Sequence, residues 1–150
     1  MPNRRSDEQV IAEPNTVAAL LRERGLRVTP QRRAIFAAFE GGRAGHPNAG
    51  EVYRRARSQL PELSRGTVYN TLNEFVSAGL LTVVSIGRVQ LYDANTADHH
   101  HFRCRSCNRL YDVHPIGANK ISLTDDFFMV EQTTVLLDGF CGECASPSAA

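Results

Sequence analysis

No apolar run in this chain approaches the ~20 residues a helix needs to cross a bilayer. The arginines of the opening MPNRRSDEQV are not followed by the apolar core of a signal peptide either. A membrane role is thereby set aside, and a cytoplasmic protein is expected. No internal repeat is visible, which argues against solenoid and propeller architectures. No cysteine is left over: Cys104, Cys107, Cys141 and Cys144 form two C-x-x-C pairs. Without a secretion signal disulfides are disfavoured, so metal or redox chemistry remains for these thiols.

What is present is the composition of a globular protein. The 150 residues, 42% hydrophobic and 22% charged, suffice for one ordinary domain or two small ones leaning on each other or on a partner. The net charge of +1 hides an asymmetry. Residues 1–80 carry 12 arginines against 8 carboxylates, a net +4, while residues 81–150 carry 5 basic against 8 acidic side chains, a net −3. A basic first half suits a polyanion and an acidic second half suits cations or subunit contacts. A solvated helix face can be equally basic.

Residues 1–13 read as a polar, flexible arm. A first helix is expected from Asn15 or Thr16 through VAALLRER, stopped by Gly25. Thr29-Pro30 reads as an N-cap followed by proline at the first helical position, opening a second helix with Ile35, Phe36 and Phe39 on one face and a stop at Gly41-Gly42. After the loop RAGHP, Asn48 and Glu51 have the spacing of a capping box for a third helix with Val52, Ala56 and Leu60 inward. Ser64 caps a fourth, whose apolar positions Val68, Leu72, Phe75 and Val76 keep the helical period until Gly79. LLTVVSI, Gly87 and RVQLYD then read as two strands joined by a tight turn.

Three helices, a fourth and a hairpin are the order of a winged helix-turn-helix, with the fourth helix as recognition element. Its polar stripe holds Arg65, Gly66, Thr67, Tyr69, Asn70 and Asn73. Arg and Asn supply hydrogen bonds to base edges, and Tyr supplies a flat apolar surface for thymine methyls. The alternative is a small helical domain whose polar face meets only water. Beyond Asp93 and the linker NTAD, HHHFRC and RLYDV read as paired strands and FMVEQTTVLL as a third strand ending at Gly139. Residues 115–127 are too broken by Pro115 and Gly117 for a long helix, and the tail ASPSAA reads as mobile.

Two C-x-x-C knuckles suit tetrahedral zinc. The 33 residues between them exceed the spacing of simple zinc ribbons, so folded structure has to bring the pairs together. A thioredoxin-like C-x-x-C would follow a strand and open a helix, and neither pair is read that way. His46, His99, His100 and His101 form a second constellation, with Asp93, Asp98 and Asp112 nearby. In a strand His99 and His101 share a face while His100 points away. Such nitrogen and oxygen donors suit divalent iron, manganese, nickel or zinc. A histidine run that binds nothing is the competing reading.

Together G-L-R-V-T-P-Q-R from Gly25, H-P-N-A-G-E-V-Y from His46, T-V-Y-N-T-L from Thr67, A-G-L-L from Ala78 and D-H-H-H-F-x-C-x-x-C from Asp98 resemble the ferric uptake regulator family over roughly residues 16–144. The resemblance implies a homodimeric repressor that binds palindromic double-stranded operator DNA when a regulatory metal is present. The expected fold is α+β. It comprises an N-terminal winged helix-turn-helix domain over residues 1–93, a hinge at 94–98, and a small α/β dimerisation and metal-sensing domain at 99–150. The family's structural Zn²⁺ maps onto Cys104, Cys107, Cys141 and Cys144, and its regulatory site, for Fe²⁺ or Mn²⁺, onto His46, Asp93, His99, His101 and Asp112. Both acidic ligands are aspartates, as in the peroxide-sensing branch, where bound Fe²⁺ leads to oxidation of a ligand histidine.

Two features depart from the family. The 113–131 segment is shorter than the usual dimerisation helix, and Thr133 stands where members often carry a histidine of an additional metal site. A plain divalent-metal sensor is the nearest alternative. A zinc metallohydrolase would need a general base such as the glutamate of H-E-x-x-H, a motif this chain lacks. A zinc-ribbon interaction module would leave the helices and His46 unexplained. No enzyme is expected.

Overall fold

The computed structural model describes residues 14–39, 45–117 and 121–146. The expected arm at 1–13, the Gly41-Gly42 stop and tail residues 147–150 lie outside them. The chain divides into two compact units, Met1–Thr96 and Ala97–Ala150, and the boundary falls inside the 94–98 stretch.

The first unit opens with helix α1 (Pro14–Glu23). Gly25, at φ 71°, ends it with paired bonds from Gly25 N to the Arg22 carbonyl and from Leu26 N to the Leu21 carbonyl, a Schellman cap. Helix α2 (Pro30–Ala37) is capped by the Thr29 hydroxyl, which accepts from Arg32 N. Helix α3 (Ala49–Gln59) has both bonds of the Asn48/Glu51 capping box, each 2.9 Å. Helix α4 (Arg65–Ser77) is capped by Ser64 and closed by a second Schellman turn at Gly79. These local signals set the helix ends, and the apolar faces then meet. Leu21, Ile35, Val52, Ala56, Val68, Leu72 and Phe75 are fully buried in one cluster, with Phe36 set edge-on against Phe75. Each of these side chains other than Ala56 contributes about 1.5–3 kcal/mol on burial. Leu60, expected inward, is the half-buried C-cap of α3, because the chain leaves the helix there for Pro61.

Strands β1 (Thr82–Ile86) and β2 (Val89–Asp93) pair antiparallel, with Ile86 opposite Val89. Only two residues form the turn, and Gly87 alone of them has positive φ, as a type II′ turn requires. Tyr92 N donates to the Pro47 carbonyl at 2.9 Å, which fastens the loop carrying His46 to the end of β2.

The second unit is a three-stranded sheet in the order β4-β3-β5. Strand β3 (His100–Cys104) pairs antiparallel with β4 (Leu110–Val113) and parallel with β5 (Leu136–Gly139). A single helical turn, α5 (Gly142–Ala145), follows. The third strand is therefore much shorter than the expected FMVEQTTVLL. Residues 128–135 form no strand, because only 136–139 come alongside β3. Phe128, Met129 and Val130 are exposed instead.

Candidate functional site

The four cysteines converge within the second unit. Cys104 ends β3, and the turn after it, with Asn108 at φ 58°, presents Cys107. The parallel register sets Cys104 beside Gly139, and Arg105 N donates to the Gly139 carbonyl, so the chain emerging from β5 delivers Cys141. The α5 turn then places Cys144. All four sulfurs lie within 4.8 Å of one another and none is in a disulfide; Cys107 and Cys141 Sγ are 3.9 Å apart. Sulfurs 2.3 Å from a shared tetrahedral centre would be about 3.8 Å apart, so the donor set fits zinc and is too open for S–S bonds.

The environment favours thiolate at two of the positions. Amides of Cys107 and Cys141 directed at its sulfur lower the Cys104 thiol to about 6 despite its burial, with Cys141 N 3.4 Å away. The Tyr111 hydroxyl, followed by the Cys144 amide, lowers Cys141. Contrary to the reading from sequence, the second C-x-x-C does follow a strand and open a helix, since Cys141 is the N-cap of α5. That local pattern resembles a redox motif, yet the gathering of four sulfurs is the chemistry of a metal site.

Three nitrogen and oxygen donors also meet in the second unit. His99 and His101 Nε2 are 3.0 Å apart, with Asp112 Oδ1 at 3.4 Å from the first and 3.8 Å from the second. His101 opposes Asp112 across the β3–β4 ladder, which brings the carboxylate to the histidine face. His99 lies one residue before β3, and its Nδ1 is 2.6 Å from the Ala97 carbonyl. A carbonyl only accepts, so Nδ1 is the donor in this contact, and Nε2 is the ring nitrogen turned toward His101 and Asp112. Ligands at right angles with ~2.1 Å bonds lie about 3.0 Å apart, the His99–His101 spacing. His100 faces elsewhere and its Nδ1 accepts from Val135 N.

The first unit holds its own pair. His46 Nε2 is 3.2 Å from Asp93 Oδ2, with both side chains buried, and Asp93 Oδ1 accepts from Asn95 N.

On α4 the stripe of Arg65, Gly66, Tyr69, Asn70 and Asn73 is exposed, with Tyr69 at 50%, while Val68, Thr71, Leu72 and Phe75 are buried. Thr67 differs from the rest of the stripe. It is half-buried, and its hydroxyl and amide are both engaged with Ser64. Sequence reasoning missed three features: the Ala97 carbonyl behind His99, Tyr111 beside Cys141, and an arginine stack on Tyr53. None leaves a signal in residue spacing, because each depends on tertiary neighbours.

The sequence pattern of the Ferric uptake regulator family matches residues 23–125. The chain belongs to that family. It is 33% identical to the "Peroxide operon regulator" of Bacillus subtilis (strain 168) over 129 residues, which is 83% of this chain and 88% of the relative. It is 31% identical to the "Peroxide-responsive repressor PerR" of Staphylococcus epidermidis (strain ATCC 12228 / FDA PCI 1200) over 143 residues, 91% of this chain and 93% of the relative. The fold is similar to that of the Helicobacter pylori ferric uptake regulator, with a TM-score of 0.65 and 16% identity, covering 88% of this chain and 91% of that one. Among the described residues no helix is long and apolar enough to cross a membrane.

Proposed function

We propose that this chain is a cytoplasmic, homodimeric, metal-dependent repressor that binds palindromic operator DNA and releases it in response to peroxide. The observation that carries this reading is the division of the nitrogen and oxygen donors. The His46–Asp93 pair sits in the first unit and the His99, His101 and Asp112 trio in the second. Neither set alone makes a full coordination shell, and one regulatory Fe²⁺ or Mn²⁺ takes ligands from both. Helices α2–α4 with the β1–β2 hairpin act as the winged helix-turn-helix, and the exposed stripe of α4 reads the major groove. Residues 94–98 act as the hinge. Metal favours the DNA-competent arrangement because it binds that arrangement more tightly than any other. The four cysteines hold a structural Zn²⁺ that takes no part in the switch.

The peroxide response is supported by the relatives' names and by two aspartates, rather than glutamates, among the acidic donors. Bound Fe²⁺ would supply the reducing chemistry toward peroxide, and the resemblance to the peroxide-sensing branch makes His46 and His99 the histidines that would take up the oxygen. The change is stoichiometric modification rather than turnover, so the reading is of a regulator and not an enzyme.

The test compares palindromic duplex from the chain's own promoter with Fe²⁺- and Mn²⁺-loaded protein, each with and without brief peroxide. The Fe²⁺ form should lose DNA binding and gain one oxygen on His46 or His99 by mass spectrometry, and the Mn²⁺ form should do neither. His99→Ala should abolish metal-dependent DNA binding while the cysteine-bound zinc stays. An Fe²⁺ form that needs metal for DNA yet survives peroxide unmodified leaves a plain divalent-metal sensor.

A further inference from the structure

The corner between α3 and α4 carries an arrangement that the metal chemistry does not use. The Tyr53 ring, half-buried and packed on the core of the first unit, has two guanidinium groups against it. The Arg65 guanidinium carbon lies 4.6 Å from the ring centroid and that of Arg57 lies 5.7 Å away. Arg57 is held further by Nη1 donating to the Tyr53 hydroxyl at 3.0 Å and Nε donating to the Pro61 carbonyl at 3.1 Å. Among the described residues neither arginine is in an ion pair with a carboxylate.

Two positive charges on one ring, with no carboxylate to balance them, repel one another. The arrangement becomes favourable when an anion lies across both. Long arginine side chains ordinarily lose rotamer freedom on meeting a phosphate, and stacking on a fixed ring removes much of that loss beforehand. A polyanion whose successive phosphates can meet two guanidinium groups held against one ring beside an exposed helix face is the phosphodiester backbone of duplex DNA. We infer that Tyr53 is a positioning residue, which holds Arg57 and Arg65 ready as a two-arginine phosphate clamp at the start of the α4 stripe, so that Arg65 meets the backbone and Tyr69, Asn70 and Asn73 are left to the bases. The inference rests on the DNA-binding reading above and adds to it the backbone contacts that set register without reading sequence.

Because phosphate contacts are independent of sequence, the test uses a 30-base-pair duplex of arbitrary sequence and the Mn²⁺-loaded full chain, over a series of salt concentrations. Arg57→Ala and Arg65→Ala should each reduce the slope of log K against log salt by about 0.9. Tyr53→Leu should weaken binding about threefold to fivefold, the equivalent of an exposed cation–π contact. The salt slope should stay near the wild-type value in this variant, since both charges remain. Tyr53→Phe keeps the ring but loses the hydroxyl that accepts from Arg57, and should bind between wild type and Tyr53→Leu. The decisive comparison is Tyr53→Leu made in the Arg57→Ala/Arg65→Ala background, where it should cost nothing further. If Tyr53→Leu lowers affinity equally in both backgrounds, Tyr53 acts through the fold alone and the clamp is overturned. Tyr53→Phe as weak as Tyr53→Leu overturns it as well, even if the leucine variant folds poorly. Should the wild type bind no duplex at any salt, the DNA-binding reading falls and takes the clamp with it. Wild-type binding with unchanged slopes in the arginine variants removes the clamp alone.

Discussion

From Val17 to Tyr92 the buried side chains of the first unit form one continuous apolar cluster, whereas in the second unit Cys104 and Leu110 are the only buried hydrophobic residues among those described. The second unit instead exposes Phe127, Phe128, Met129 and Val130 and gathers four cysteines at one end of its sheet. A unit of residues 97–150 with so few buried apolar side chains has a small core, and small units commonly add metals or subunit contacts to it. The four helices fold because their faces are apolar. The small sheet has little apolar burial, and the four cysteines that meet at one end of it are the groups able to tie its ends together.

The largest effect that separates the two units should come from removing one cysteine. Structural zinc contributes about 10–16 kcal/mol in small zinc domains, and that affinity is folding free energy. Cys141→Ser should therefore lose zinc, the folded sheet and the dimer together. Hydrogen exchange should show protection vanishing from β3, β4 and β5 while α3 and α4 keep theirs. A variant that contains no zinc by elemental analysis and is still dimeric would sink the idea that metal substitutes for a core.

A smaller effect should be confined to the function of the first unit. Tyr69 is half-exposed on α4, and its loss leaves the buried face of Val68, Leu72 and Phe75 intact. Tyr69→Ala should weaken operator binding by about 1–3 kcal/mol, the value of one good base contact, with metal content and dimerisation unchanged. Titration of labelled operator measures this, and unaltered affinity would remove Tyr69 from the recognition surface.

The two units also differ in how far the sequence discloses them. In the first, Thr29, Asn48 with Glu51, and Ser64 announce helix starts, and Gly25 and Gly79 announce stops, because caps act within a few residues. Helical periodicity then picks out the faces that pack. In the second, β3 and β4 are legible as short alternating runs, but the third strand is not. Phe128–Val130 has strand-forming composition, and composition cannot say which four residues will lie alongside β3. The candidate metal ligands were legible as residue types. Their fine positioning was not, because the carbonyl of Ala97 and the hydroxyl of Tyr111 reach His99 and Cys141 only after folding.

The smallest expected effect concerns a histidine between two candidate ligands. His100 lies on β3 with His101, and its Nδ1 accepts the backbone N–H of Val135, the residue before β5. That bond fixes where the returning chain meets β3, just ahead of the His101–Leu136 and Cys104–Gly139 register. His100→Ala should remove one part-buried hydrogen bond, costing about 1 kcal/mol of stability. In a unit with so little apolar burial the loss should be local, appearing as faster hydrogen exchange at Val135 and in β5, with α3 and α4 unaffected. The Nε2 atoms of His99 and His101 face Asp112 and make no use of His100. Regulatory-metal affinity, read by titration with Mn²⁺, should therefore stay within about twofold, which is a few tenths of a kcal/mol. A tenfold loss of Mn²⁺ affinity with unchanged exchange in β5 would make His100 a ligand and reverse its assignment. Faster exchange in β5 with Mn²⁺ affinity preserved would show that a single backbone bond helps to hold the second unit together, where the first relies on packed side chains.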